Sequence, residues 1–419
     1  MFTSYYFILM KRLAFSLLAL ALSIPLLAND SMYYTLGNQL VPLQATDIRL
    51  QREVLTITLL NDGFAQVDVF YELNNQGEER TITMGFEADA PYMGEDFSPD
   101  GVHPHIKGFN VEINGATLTY HNALVRLGAI DDDGRLVTLN PNQWKEPSGD
   151  EDFYDALLYN AALDSTVQYA YAYYFDAHFK KGLNVVRHSY RYRVGVVAGE
   201  AFFLDYKLTP ALRWKGGQTD DFTLIIRADQ TFKHFIVKDT PFGSHPAWTI
   251  SGIGKQRTRQ YSYEAFVREG EDGNDVTETV TEYATEFALR NAEARLHITG
   301  FRPAAELDIR SGDTYIYREG EEGMYGIAAS YDPGMPGLSQ FYYIEQVPIV
   351  NGKPLSKQRI QRNLPFAARG YVFKDKQLAA YFSNIWWYMP DPTYKADVTK
   401  LIEKEQEWIY FIDHPDEEE

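Results

Sequence analysis

The sequence predicts an α+β protein, with a large antiparallel, sandwich-like β region followed by a small all-helical C-terminal domain. Three observations predict it. Between about residues 50 and 300, apolar and polar residues alternate with period two in many short segments. Polar turn signals separate most of these segments, as in antiparallel sheets. Beyond Lys353 the apolar residues recur at helical spacing.

The first strands are predicted where the alternation is clearest. In Val54–Leu60 every second residue is apolar, and the turn Asn61-Asp62-Gly63 leads to a second alternating segment, Ala65–Tyr71. The pair Asn114-Gly115 tolerates the positive φ angles of a type I′ turn and predicts a hairpin. Further strands are predicted at Phe109–Ile113, Ala116–Tyr120, Val186–Val194, Thr223–Ala228 and Phe235–Lys238.

Three segments within the β region do not read as strands. Tyr154–Ala162 predicts a helix on the rim of the sheets. Thr281–Glu293 is rich in Ala and Glu, which are strong helix formers, and predicts a second helix. The polar, Gly-containing run Glu269–Asp275 predicts an exposed loop.

Three helices are predicted in the C-terminal domain. The first spans Ser356–Ala368, where Pro365 is expected to kink or shorten it. The second spans Lys374–Asn384. The third begins after the capping residue Asp397 and places apolar side chains on one face as far as Ile412.

The N-terminus predicts a cleaved secretory signal peptide, with translation starting at either Met1 or Met10. Lys11 and Arg12 precede the apolar run Leu13–Leu27, and a cleavage site follows at about Ala28. This run is shorter than the roughly 20 residues of a membrane span. We therefore expect a periplasmic, secreted or cell-surface protein with no membrane span after cleavage. The chain has no cysteine, which excludes a lipid-anchored lipoprotein and any disulfide.

These signals divide the chain into a signal peptide (1–28), a β-rich domain (29–300), a connecting segment (301–350) and the helical domain (351–419). Removing Lys11 and Arg12 from the 39 basic residues leaves 37 against 58 acidic ones, so the mature chain carries a charge of −21. A chain this acidic is repelled by phosphate backbones, which argues against nucleic acid as a partner.

The C-terminal segment resembles a known bacterial module. The run Arg362–Phe373 (RNLPFAARGYVF), followed by Leu378, Tyr381-Phe382, Trp387-Tyr388 and Pro390, resembles the YARHG domain. That small module is named for a Tyr-Ala-Arg-His-Gly run and is regarded as extracellular. Here the corresponding residues are Phe366-Ala367-Ala368-Arg369-Gly370.

The chain before this module is similar to bacterial domain-of-unknown-function family 4424 over roughly residues 30–300. Neither family carries an established activity, so the resemblances imply an envelope setting and a division into two domains. The residues that carry the N-terminal likeness are Asn29-Asp30-Ser31, Gly37, Leu40–Leu43, Asp47–Leu50, Leu208-Thr209-Pro210, Trp214-Lys215-Gly216 and Asp221–Leu224.

The search for catalytic or metal chemistry is largely negative. His103 and His105, with His121 nearest in sequence, are too few and too loosely spaced for a metal site, which needs three or four ligands. The run Asp131–Gly134 lacks the ligand spacing of a calcium loop and reads as a polar turn. No nucleophile elbow or phosphate-binding loop is present. We therefore assign no catalytic residue, metal or cofactor.

A basic stripe lies on one predicted strand. Arg187, Ser189, Arg191 and Arg193 share one face, because side chains alternate along a strand. The stripe could bind an anionic ligand through its guanidinium groups. Pairing with acidic residues on neighbouring strands is the favoured alternative.

A second basic region lies in the helical domain, close to aromatic residues. Between residues 350 and 376, seven basic residues stand against the single acid Asp375. We predict an anionic-glycan site at Arg362, Asn363, Arg369, Tyr371, Trp386, Trp387 and Tyr388. In the favoured alternative, the aromatics form the core of the domain and its cationic helix lies against an acidic one with Glu403, Glu405 and Glu407.

Together these features predict a non-catalytic, envelope-associated binding protein. Its expected partner is peptidoglycan, another envelope glycan or a partner protein. Two other functions stay open. One is an extracytoplasmic hydrolase that uses carboxylates of the β region, of which the chain's 58 acids offer many. The other is a structural assembly module.

Overall fold

The computed structural model describes residues 36–38, 41–42, 46–90, 97–130, 136–145, 157–196, 202–243, 245–269, 275–311 and 347–414. All of these residues belong to one compact unit, Met32–Glu419. The predicted signal peptide, the run Asp131–Gly134 and the interior of the predicted loop Glu269–Asp275 lie outside the described residues.

The strands of the described residues form three sheets, and three α-helices follow. The strands are β1 (Leu36–Asn38), β2 (Val41–Pro42), β3 (Arg49–Leu59), β4 (Phe64–Asn75), β5 (Arg80–Asp89), β6 (Ile106–Ile113), β7 (Ala116–Thr117), β8 (His121–Ile130), β9 (Leu136–Thr138), β10 (Leu157–Asn160), β11 (Ser165–Phe179), β12 (Gly182–Arg193), β13 (Gly195–Val196), β14 (Phe202–Lys207), β15 (Thr219–Lys238), β16 (Thr249–Glu269), β17 (Asp275–Phe301), β18 (Leu307–Ser311), β19 (Ile349–Val350) and β20 (Lys353–Pro354). The helices are α1 (Lys357–Ala368), α2 (Lys376–Ser383) and α3 (Glu403–Asp413).

The largest sheet has the order β1-β14-β18-β15-β3-β4-β12-β6-β7, with β13 beside β14 and the hairpin β16–β17 added to β15. The second sheet has the order β2-β5-β11-β8-β9, with β10 on β11. Nearly all neighbours are antiparallel, as predicted, but β3 runs parallel to β15 and β1 parallel to β14. Strand β18 extends the large sheet into residues that the sequence places in the connecting segment.

The two large sheets face each other across one apolar core. The ring centroids of Phe86, in the second sheet, and Tyr190, in the first, lie 4.7 Å apart. Those of Tyr173, in the second sheet, and Phe109, in the first, lie 5.0 Å apart. Such aromatic pairs contribute about 0.5–1.5 kcal/mol beyond the area they bury. The predicted α+β class, with a sandwich-like β region before a helical domain, is confirmed.

Two predicted local features of the β region can be compared directly with the structure. Asn114 (φ 52°) and Gly115 (φ 83°) adopt the positive φ angles of the predicted hairpin turn. The two strands predicted at Thr223–Ala228 and Phe235–Lys238 are parts of one strand, β15, with a register shift between Ala228 and Phe232.

The predictions of two helices inside the β region are wrong. Thr281–Glu293 lies in β17, which is hydrogen-bonded to β15 on one side and to β16 on the other. Pairing on both edges outweighs the helix propensity of its Ala and Glu residues. In the segment Tyr154–Ala162, residues Leu157–Asn160 form strand β10, which pairs with β11 in a hairpin, and the turn of that hairpin begins at residue 161.

The helical domain agrees more closely with its prediction. Asp375 caps α2 by accepting hydrogen bonds from the backbone N–H groups of Gln377 and Leu378. Asp397 caps only a short 3₁₀ turn, Val398–Lys400, and α3 begins at Glu403. The predicted third helix is therefore divided, because Leu401 and Ile402 between its two parts have extended backbones.

Candidate functional site

Two of the four aromatic residues predicted to bind a glycan are buried, and the other two, Tyr371 and Trp386, are partly buried. Trp387 is 2% exposed, and its ring centroid lies 5.0 Å from that of Phe232 on β15. Tyr388 is buried, and its hydroxyl donates a hydrogen bond to the carbonyl oxygen of Tyr371 at 2.6 Å. These rings belong to a core cluster that the helical domain shares with the large sheet.

The polar members of that predicted site have partners within the helical domain. Arg369 donates two hydrogen bonds, at 2.7 and 2.6 Å, to the buried carboxylate of Glu405. Arg362 pairs with Asp413 at 2.8 Å, and the Asn363 amide donates to the carbonyl of Arg359. The two ion pairs hold the region of α1 against α3, as the structural alternative expects, whereas the Asn363 bond lies within α1. The glycan role of these residues stays a prediction.

Trp386 lies at the junction between the helical domain and the β16–β17 hairpin. The guanidinium of Arg257 lies 4.4 Å from its ring centroid, and the His234 ring lies 5.6 Å away. Both side chains bond to Glu286, which is 1% exposed: Arg257 Nε at 2.5 Å and His234 Nε2 at 2.7 Å. The sequence offered no signal for this network, because it depends on the register of β15, β16 and β17.

The carboxylate of Glu286 is held ionised by these partners. Burial alone would raise the pKa of Glu286, but the hydrogen bonds from His234 and Arg257 outweigh it and lower the pKa to about 2. A buried carboxylate that accepts charge-assisted hydrogen bonds is stabilised in its charged form. The network therefore fixes the hairpin beneath Trp386.

A cleft of about 760 Å³ lies where the large sheet meets the first turn of α3. From the β region it is lined by the ends of β3 and β4, the turn between them, and Arg191 of β12. The helical domain contributes the residues around the start of α3. The lining consists of Thr58, Leu60, Asn61, Asp62, Gln66, Arg191, Ile402, Glu403 and Lys404.

Arg191 connects this cleft to the predicted basic stripe. Alternation along β12 is as predicted, with His188, Tyr190 and Tyr192 buried in the core and the arginines on the outer face. Arg191 pairs with Asp62 at 2.5 Å, and its guanidinium lies 5.1 Å from the Phe64 ring centroid.

Aromatic rings on this outer face are flanked by further cations. The Lys107 ammonium lies 4.6 Å from the Phe64 ring centroid, and Arg187 lies 5.0 Å from that of Phe70. Cation–π contacts of this kind contribute about 0.5–1 kcal/mol at exposed sites. Within the stripe, Arg191 is thus ion-paired and lies near the Phe64 ring, and Arg187 lies over the Phe70 ring.

The histidines that could suggest a metal have structural roles. The buried His103 ring bonds through Nε2 to the carbonyl of Asp89 at 3.0 Å, and its Nδ1 accepts the backbone N–H of His105. Burial lowers the pKa of His103 to about 3, so the ring is neutral at physiological pH. Within the described ranges, no three His, Asp or Glu side chains come together as a metal site.

Comparison with known proteins finds one family and several distant folds. Residues 353–414 match the YARHG domain, which confirms the resemblance of the C-terminal segment. No curated protein matches. The described helices are each too short or too polar to reach across a lipid bilayer.

Two solved structures illustrate the distant similarities. A candidate nutrient binding protein from Legionella pneumophila is 15% identical with a TM-score of 0.43, over 92% of this chain and 99% of that one. An M1 zinc metallopeptidase from Deinococcus radiodurans is 10% identical with a TM-score of 0.24, over 68% of this chain. The match spans 46% of the metallopeptidase, less than half of its length.

Proposed function

We propose that the protein is a non-catalytic binding protein of the bacterial cell envelope, exported by its N-terminal signal, and that the cleft beside Arg191 is its ligand site. The proposed ligand is a fragment of peptidoglycan or of another anionic envelope polymer. The observation that carries this proposal is the cleft itself, where a concavity lined by both polar and apolar groups joins a surface of cations and aromatic rings.

The size and lining of the cleft support a ligand of several sugar or amino-acid residues. Ligand sites commonly measure about 300–1,000 Å³, and the volume here of about 760 Å³ lies in that range. Its hydroxyl, amide and carboxylate groups can accept or donate hydrogen bonds, and Arg191 and Lys404 supply positive charge. Such a set suits a polymer that carries hydroxyl, amide and carboxylate groups.

The net negative charge of the chain does not prevent an anionic ligand from binding here. At physiological ionic strength, exposed charges more than about 8 Å apart are largely screened from one another. A ligand in the cleft therefore responds chiefly to nearby groups, and Arg191, which lines the cleft, shares the neighbouring Phe64 ring with Lys107. An aromatic ring beside cations can stack on a sugar face while the cations meet carboxylates.

Co-sedimentation of the chain from Asn29 with purified peptidoglycan sacculi tests this function. We expect the protein to pellet with sacculi at low salt, and to pellet less as salt rises because charged contacts are screened. The supernatant is analysed for released fragments, which only a hydrolase would produce. Failure to pellet at every salt concentration would contradict the binding function, and steady release of fragments would favour the hydrolase.

A further inference from the structure

A charged side chain of the β16–β17 hairpin is buried in the helical domain. Arg290 of β17 is 6% exposed. Its NH1 donates hydrogen bonds to the carbonyl oxygens of Met389 at 2.9 Å and Ala368 at 3.5 Å. Burying a charge is costly unless hydrogen bonds replace its hydration. These carbonyls, which end α1 and follow α2, supply that replacement.

The turn after α1 is shaped to admit a guanidinium group. Gly370 has a φ of 83°, and a Cβ atom there would lie 2.3 Å from NH1 of Arg290 and 2.5 Å from the carbonyl oxygen of Met389. No other residue fits both the backbone angle and the space. Gly370 is also the last position of the YARHG signature run, so the signature turn is the part of the domain that meets Arg290.

The electrostatics of this turn favour a cation. The carbonyl of Ala368 lies at the C-terminal end of α1, where the helix dipole is negative. Burial lowers the pKa of Arg290, and the nearby Asp391 carboxylate opposes that shift. Asp391 is fixed in place because its backbone N–H donates to the carbonyl of Gly370 at 2.7 Å.

A second cation, from the other strand of the hairpin, makes similar contacts with the segment that follows α2. Lys255 of β16 donates from Nζ to the carbonyl oxygens of Trp386 at 3.1 Å and Tyr388 at 2.8 Å. Lys255 and Arg290 therefore both meet backbone carbonyls of one segment, Trp386–Met389. Because the acceptors are backbone carbonyls, the contact between the hairpin and the helical domain depends on the two cations and on the backbone shape of the turn.

We propose that the signature turn of the YARHG-type domain is a guanidinium-binding pocket, through which the domain docks onto a β-sheet strand that presents an arginine, here Arg290 of β17 in the same chain. This role goes beyond ligand binding in the cleft. It gives the helical domain a specific attachment to the hairpin and thereby places the start of α3 at the cleft.

Chemical rescue in the full chain tests the pocket. Arg290→Ala removes the guanidinium, and we expect backbone amides of residues 364–389 to exchange hydrogen about tenfold faster or more, because buried charge-assisted hydrogen bonds are lost. Ethylguanidinium, which can enter the emptied pocket, should slow this exchange again, whereas ethylammonium should not. Arg290→Lys should behave like Arg290→Ala, since the lysine side chain is one atom shorter and its ammonium falls short of the position of NH1. The matched control is Arg295→Ala, an exposed arginine of the same strand that pairs with Glu293.

Three results would overturn the proposal. The first is exchange in Arg290→Ala that equals the wild type. The second is equal rescue by ethylammonium and ethylguanidinium. The third applies if Arg290→Ala lowers the stability of the whole chain. Ethylguanidinium should then raise the unfolding midpoint of Arg290→Ala more than that of the Arg295→Ala control, and equal changes in the two midpoints would overturn the proposal. None of these readouts depends on sacculus binding, so the pocket and the proposed function are tested separately.

Discussion

The indole N–H of Trp408 on α3 donates a hydrogen bond to the carbonyl oxygen of Gln361 on α1, at 3.0 Å. In a regular helix this carbonyl would accept the backbone N–H four residues later, which is Pro365 and has none. The proline thus frees an acceptor inside α1, and the tryptophan of a neighbouring helix takes it. The helix runs through Pro365 to Ala368 and is not shortened there, and the carbonyl that the proline cannot serve takes part in an interhelical contact.

This relationship predicts an energetic coupling between Trp408 and Pro365. Trp408→Phe should lower the free energy of unfolding, in part because the Gln361 carbonyl loses its partner. In a Pro365→Ala background the new backbone N–H can serve that carbonyl, so Trp408→Phe should cost about 1 kcal/mol less there. Urea unfolding of the four proteins measures the difference. Equal costs in both backgrounds would show that the hydrogen bond contributes nothing.

Breaking the buried ion pair between Arg369 and Glu405 should lower the stability far more than breaking an exposed pair. Glu405 is fully buried, so Arg369→Ala leaves an uncompensated charge and should cost about 3–5 kcal/mol. Arg362→Ala breaks the exposed pair with Asp413 and should cost less than about 1 kcal/mol. Denaturant unfolding compares the two variants. A similar loss of unfolding free energy in both variants would contradict the burial of the Glu405 carboxylate.

Glu286 should make stability fall in acid. Its pKa is lowered from 4.5 to about 2 in the folded protein, so its contribution is complete above pH 4.5 and disappears as the pH falls toward 2. A shift of this size corresponds to on the order of 3 kcal/mol. The gap in unfolding free energy between wild type and Glu286→Gln, measured by urea unfolding, should therefore narrow between these pH values. A difference in unfolding free energy that stays constant between these pH values would show that His234 and Arg257 do not lower the pKa of Glu286.

Two buried tyrosines should respond differently to removal of the hydroxyl. The Tyr206 hydroxyl has no hydrogen-bond partner among the described residues, so Tyr206→Phe should leave stability unchanged or raise it. The Tyr173 hydroxyl accepts the buried backbone N–H of His103 at 3.0 Å, so Tyr173→Phe should cost about 1–3 kcal/mol. Thermal unfolding of the matched pair checks this order, and the reverse order would contradict it.

Features set by nearby residues could be predicted from the sequence. The alternation of Arg187 and Arg191 with His188 and Tyr190 is local, and the structure follows it. The same holds for the turn at Asn114 and the three C-terminal helices. Local reasoning failed in Thr281–Glu293, where strands on both sides override helix propensity.

The candidate sites depend on contacts between distant parts of the chain. Asp62 and Glu403 line one cleft although most of the sequence separates them, and Arg290 meets Ala368 across 78 positions. No local spacing reveals such a meeting. The surroundings of the aromatic run Trp386–Tyr388 could not be predicted for the same reason, because they depend on Phe232 and on the β16–β17 hairpin, which are distant in the sequence.

The most direct test of the proposed function compares Arg191→Glu with Arg49→Glu in sacculus co-sedimentation. Both arginines are partly exposed and paired with an aspartate. Arg49 begins β3, nine residues before Thr58 at the cleft, which is about 30 Å along a strand. The account predicts that Arg191→Glu loses most of the pelleting while Arg49→Glu retains it. Equal pelleting of the two variants would contradict a ligand site in this cleft.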